Sequence, residues 1–149
     1  MRVVIDTSVI VNLFSSFYPD RTKTAKKVAE LTELDIVELY APRFGELEFI
    51  SVMRRFLEEE MAREAHEIYL PLVSGFVEEE LILHRLRELA FKTAHRVPDL
   101  YFIATAEFLE GVLITNDRKM AELAKSLGLK AFCLVDESDE FFKLLGVGS

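Results

Sequence analysis

Three aspartates stand at places where a folded chain would gather them. Asp6 follows the apolar run Val3-Val4-Ile5, Asp99 follows Val97-Pro98 ahead of an apolar segment, and Asp117 follows Val112-Leu113-Ile114-Thr115-Asn116. Converging carboxylates are costly, because two unit charges ~4 Å apart repel by about 4 kcal/mol at an effective dielectric of ~20. Such a group takes up protons or binds a cation. All-oxygen ligands select hard ions, Mg2+ or Mn2+, and Mg2+ keeps waters and works together with substrate phosphate oxygens. The chemistry this suits is metal-assisted phosphodiester hydrolysis: one ion activates the attacking water, and one or two stabilise charge on the phosphate and the leaving oxygen. Structural roles are open to the same residues. Asp99 and Asp117 both fit helix N-caps, and Asp6 before Thr7-Ser8 fits a turn.

The elements around these residues decide whether they meet. Periodicity predicts strands over residues 3–5, 36–41 (stopped by Pro42), 112–114 and 130–135. Helical spacing predicts a short segment over 9–14 and a helix from Pro19 with Asp20 as its cap. Further helices are expected from Arg43, around Met61–Leu72 and Leu83–Ala94, from Asp99 to a stop at Gly111, and from Met120 to a stop at Gly128. The tail is acidic over 136–140, then apolar, then Gly-rich. Strands alternating with helices point to a parallel sheet covered on both faces. In such a sheet ligands bind outside the carboxyl ends of the strands. Asp6 and Asp117 lie at strand ends. Asp99 opens the helix that leads into the strand before Asp117, so a helix up and a strand back return it to the same rim.

Composition narrows the class. The chain has 149 residues, 50% of them apolar and 30% charged, which predicts a single globular domain over residues 1–149 able to fold on its own core. With one cysteine, there is no intrachain disulfide and no cysteine-based zinc site to expect. The longest strictly apolar runs are five residues, 100–104 and 131–135, against the roughly 20 that a membrane helix needs. The N-terminus is not that of a signal peptide. A soluble, cytoplasmic protein is expected. Eighteen Lys and Arg face 26 Asp and Glu, a net charge of −8. This argues against a passive nucleic-acid coat but permits an enzyme that meets phosphates through a metal ion. Arg96, Arg118 and Lys119 flank the acids and read equally well as phosphate contacts or as charged helix ends. His66, His84 and His95 lack metal-ligand spacing and read as surface or packing residues. Lys23, Lys26 and Lys27 read as a solvated face, and Cys133 as core.

Four runs in order, spread over nearly the whole chain, resemble one family. They are Val3-Val4-Ile5-Asp6-Thr7-Ser8-Val9-Ile10-Val11; Tyr40-Ala41-Pro42 with Glu48-Phe49-Ile50-Ser51-Val52-Met53; Val97-Pro98-Asp99-Leu100-Tyr101-Phe102-Ile103-Ala104; and Val112-Leu113-Ile114-Thr115-Asn116-Asp117. Together they resemble the motifs of PIN-domain ribonucleases, the family that includes the VapC-type toxins of toxin–antitoxin pairs. The resemblance implies a PIN-like α/β/α sandwich with a central parallel sheet of four to five strands flanked by helices. It also implies a fourth acid on the helix after the second strand. Glu46 and Glu48 both compete for that place, because apolar residues nearly encircle the helix; the family pattern favours Glu48. With Glu48, the implied catalytic and metal-holding set is Asp6, Glu48, Asp99 and Asp117 around Mg2+ or Mn2+. Thr115 is the implied accessory residue, and Thr7, Ser8 and Asn116 are weaker ones. Ser51 stands where the family often has Asn, which would weaken a supporting hydrogen bond. The implied function is a Mg2+/Mn2+-dependent endoribonuclease leaving 5′-phosphate and 3′-hydroxyl ends. It would work as a homodimer and be masked by a small antitoxin protein.

Other classes fit parts of this pattern. One is an RNA-processing nuclease outside toxin–antitoxin systems, and another a catalytically silent PIN-like scaffold, against which the clustered acids argue. A third is an aspartyl-phosphate phosphotransfer protein. Phosphatases of that kind carry a second acid two residues after the first, where this chain has Ser8.

Overall fold

Alternation along the strands builds two cores from one sheet. In the computed structural model, which describes residues 1–148, Val3, Ile5, Leu39, Val112 and Ile114 point to one face, against Phe49, Met53, Tyr69 and Phe141. Val4, Val77, Leu113 and Ala131 point to the other, against Leu89, Leu100, Ile103 and Ala124. A parallel sheet buried on both faces needs apolar residues at successive positions, and the strands supply them. The strands are β1 (Arg2–Ile5), β2 (Glu38–Pro42), β3 (Gly75–Val77), β4 (Val112–Thr115) and β5 (Ala131–Cys133), all parallel, in the order β3-β2-β1-β4-β5.

The helices are α1 (Thr7–Ile10), continued by a 3₁₀ turn (Val11–Leu13), α2 (Pro19–Glu33), α3 (Arg43–Phe56), α4 (Glu59–Leu72), α5 (Glu79–Thr93), α6 (Val97–Leu109), α7 (Arg118–Ser126) and α8 (Leu134–Leu144). The first core packs α1 to α4 and α8, the second α5, α6 and α7. From β1 the chain runs outward through β2 to β3, then returns to the far side of β1 for β4 and β5. The strand order therefore reverses between β1 and β4, and the crevice outside their carboxyl ends is where such sheets bind ligands.

The sheet has five strands, of which the sequence marked four. The missing one, β3, is the three-residue Gly75–Val77 paired through Tyr40↔Gly75 to Pro42↔Val77; it is too short to carry a period. Residues 36–37 close α2 through Leu31 instead of opening β2. Asp20 is not the cap of α2: the cap is Tyr18, Pro19 takes the first turn, and Asp20 follows inside it. Residues 134–144, read as the end of a strand and a tail, form α8, whose Phe141 and Phe142 are buried in the first core. Among the described residues no helix is long and apolar enough to cross a membrane.

Gly111 is not where α6 turns off. Glu110 takes the left-handed conformation there (φ 52°), and Gly111 follows it for a steric reason. A Cβ at Gly111 would lie 3.0 Å from the Arg2 carbonyl oxygen, on the strand that β4 must pair with. Gly111→Ala is expected to destabilise the fold by about 1–3 kcal/mol through this backbone clash, seen as a lower urea midpoint with an unchanged slope.

Candidate active site

The crevice between β1 and β4 is closed by one shared carboxylate. Asp6 ends β1, is 5% exposed, and donates its backbone N–H to the Ile114 carbonyl at 3.0 Å. Its Oδ2 accepts from the Ser8 hydroxyl at 2.6 Å and from the Thr115 hydroxyl at 2.7 Å. Each hydroxyl also accepts: Ser8 from the Asn116 backbone N–H at 2.9 Å, Thr115 from that of Asp117 at 3.0 Å. The Asn116 side-chain amide donates to the Ser8 carbonyl at 2.9 Å. Burial pushes the Asp6 carboxyl up from its ordinary 3.8 to about 6; the two hydroxyls oppose this, and the charges of Glu48 and Asp99 add to it.

Asp99 is brought to the same place by the turn between α5 and α6. Ala94 ends α5 in the left-handed conformation (φ 51°), and Arg96 caps α6 without a side-chain bond. Asp99 thus lies in the first turn of α6, where the helix dipole favours a negative charge, and is not the cap. It is 6% exposed. Its Oδ2 meets His95 Nε2 at 2.9 Å and the Arg96 guanidinium at 3.4 Å. Asp117 does cap its helix: its Oδ1 accepts from the N–H groups of Lys119 and Met120 at 2.9 and 3.2 Å. Its Oδ2 lies 3.8 Å from Arg96.

The two glutamates on α3 have different surroundings. Burial would raise Glu46, but hydrogen bonds from Arg43 and His66, at 2.6 and 2.8 Å, hold it below the usual carboxylate range. Glu48 goes the other way: burial raises it, the Thr7 hydroxyl opposes, the Asp99 charge adds to the rise, and Arg96 and Arg55 offset part of it. Asp6, Glu48 and Asp99 therefore lie within one another's field, with Asp117 joined to them through Arg96.

One of the accessory candidates is occupied. Arg118 is paired with Asp136 at 2.5 and 2.8 Å, and Ser51 is exposed on α3. His95, which the sequence reads as a surface or packing residue, lies in the α5–α6 turn and is bonded to Asp99.

The donor set is of carboxylate and hydroxyl oxygens, which fits a hard divalent ion in kind. Among the described residues no three His, Cys, Asp or Glu side chains are gathered around one point. The outward oxygens of Asp99 and Asp117 face a guanidinium instead.

The chain is thus a parallel five-stranded α/β/α sandwich with acids at its switch point. Residues 3–126 match the PIN domain family, and the chain belongs to it. PIN-domain proteins are nucleases that generally use divalent metal ions. No curated protein matches the chain. Among solved structures, the fold is similar to a chain of VapBC-1 from nontypeable Haemophilus influenzae, with a TM-score of 0.68 and 22% identity, over 89% of this chain and 97% of that one. VapBC2 from Rickettsia felis, bound to a DNA fragment from its promoter, aligns with a TM-score of 0.68 and 13% identity over 89% and 98%. FitAcB from Neisseria gonorrhoeae aligns at 0.58 and 22% over 87% and 96%.

The raised Asp6 carboxyl makes stability depend on pH. The folded chain holds this proton more tightly than the unfolded chain, so the contribution is full below the ordinary 3.8 and is lost as pH rises through about 6. The difference is worth about 3 kcal/mol. Asp6→Asn keeps an oxygen for both hydroxyls and has no charge to bury. In EDTA at pH 7.5 it is expected to be more stable than wild type by about 1–3 kcal/mol, a gap that shrinks as pH falls through about 6 and closes near 3.8 in urea titrations.

Proposed function

We propose that the chain is a metal-dependent endoribonuclease that hydrolyses RNA phosphodiester bonds as the toxin of a toxin–antitoxin pair. The observation that carries this reading is the match of residues 3–126 to the PIN domain family, with Asp6 buried at the switch point and held there by Ser8 and Thr115. Asp6, Glu48, Asp99 and Asp117 would hold Mg2+ or Mn2+, with Glu48 favoured over Glu46 because Arg43 and His66 already engage the latter. A bound divalent ion would supply an activated water and charge neutralisation at the phosphate.

The rest of the chemistry belongs to the chain. The Ser8 and Thr115 hydroxyls fix the rotamer of Asp6 through its Oδ2. Thr7 and Asn116 line the same rim. Arg96, 75% exposed at its side chain, is the cation beside the acids that an RNA phosphate would meet first. Arg118 would have to leave Asp136 to do so.

The toxin role is supported by the VapBC complexes among the structural neighbours. It entails a homodimer, a small antitoxin that covers the carboxylates, and action in the cytoplasm.

The experiment is cleavage of single-stranded RNA by the purified chain with Mn2+ or with EDTA. Cleavage should require Mn2+ and fall at least about 100-fold in Asp6→Asn, Glu48→Gln and Asp99→Asn. Glu46→Gln should stay within about threefold of wild type. Cleavage in EDTA, or full activity in the first three variants, overturns the reading. Growth arrest on expression, relieved by a co-expressed small partner, separates a toxin from an RNA-processing nuclease.

A further inference from the structure

We infer that Arg96 is a tethered counter-cation of the carboxylate site, seated across Asp99 and Asp117 and in competition with the divalent ion for them. The inference rests on the metal-holding role proposed above for these acids.

The oxygens that Arg96 faces are the ones that matter. Asp117 spends Oδ1 on the amides of α7, so Oδ2 is the oxygen it has left for a ligand, and that oxygen faces Arg96 at 3.8 Å. Asp99 presents Oδ2 to the same guanidinium nitrogen at 3.4 Å. One positive charge thus faces two of the four acids.

The attachment is loose by the standards of this molecule. Arg85 grips Glu107 with two bonds of 2.8 Å, and Arg118 grips Asp136 with bonds of 2.5 and 2.8 Å. Arg96 makes no contact as short as these, and its side chain is 75% exposed. It sits in the three-residue turn between α5 and α6, with Val97 and Pro98 starting the helix behind it. A guanidinium held this way balances the acids when no ion is bound and yields when one arrives. Its presence raises the ion concentration needed to fill the site. Exposed pairs of this kind shift an equilibrium by up to about fivefold, which sets the size of the effect.

The test is Mn2+ binding to the whole chain without RNA, read from the electron paramagnetic resonance signal of free Mn2+. Arg96→Gln should bind Mn2+ about two- to fivefold more tightly than wild type. Arg96→Lys, which keeps the charge, should stay close to wild type. The gain in the Gln variant should shrink at about 0.5 M salt, where charges at this spacing are screened. Circular dichroism and urea midpoints equal to wild type show that the variants are folded. Equal or weaker Mn2+ binding by Arg96→Gln overturns the inference. Asp6→Asn tells this failure from that of the metal site: if wild type binds Mn2+ and Asp6→Asn does not, the site stands and only the role of Arg96 falls. If neither binds Mn2+, both fall together.

Discussion

The site depends on a carboxylate held where two neighbouring parallel strands end. Asp6 belongs to β1, yet one of its two hydroxyl donors comes from β4, and the other is itself bonded to the residue after β4. The two hydroxyls act as adaptors: each gives its hydrogen to Asp6 and takes one from the backbone beyond β4. This arrangement satisfies every buried group at the strand ends, and among the described residues no buried side-chain polar atom lacks a partner. It also leaves a charge under cover that would be better solvated outside. That is the form a functional site takes when stability is given up for a poised group.

Everything else around the crevice aims at that carboxylate. The reversal of strand order puts β1 and β4 side by side. The left-handed Ala94 turns the chain tightly enough for α6 to begin over the crevice, and α3 delivers Glu48 from the β2 side. The acids come from four separate elements or their edges. What brings them to one end of the sheet is therefore its topology and not any local motif. The two apolar cores hold these elements in register from above and below, so the site inherits the rigidity of the sheet.

Much of this was legible in the chain. Apolar runs followed at once by Asp6 and Asp117 announce strand ends, and the spacing from Asp99 to Asp117 is that of a helix and a strand folded back. The two glutamates of α3 were not separable by pattern, because what distinguishes them comes from outside the helix: His66 on α4 takes Glu46, while Thr7 and Asp99 stand near Glu48. His95 was hidden because its contact with Asp99 depends on the shape of the irregular turn that leads into α6. β3 has three residues and no room for a period. α8 escaped notice because the acidic stretch 136–140 interrupts its apolar face, and only the packing of Phe141 and Phe142 on β5 and α2 reveals it as core.

The family match ends at residue 126, while the sheet does not. β5 pairs with β4 from Leu113↔Ala131 to Thr115↔Cys133. A shortened chain stopping at the family boundary would strip this neighbour from the strand that bears Thr115. The bare backbone of β4 would then be an open edge, ready to recruit another molecule into aggregates.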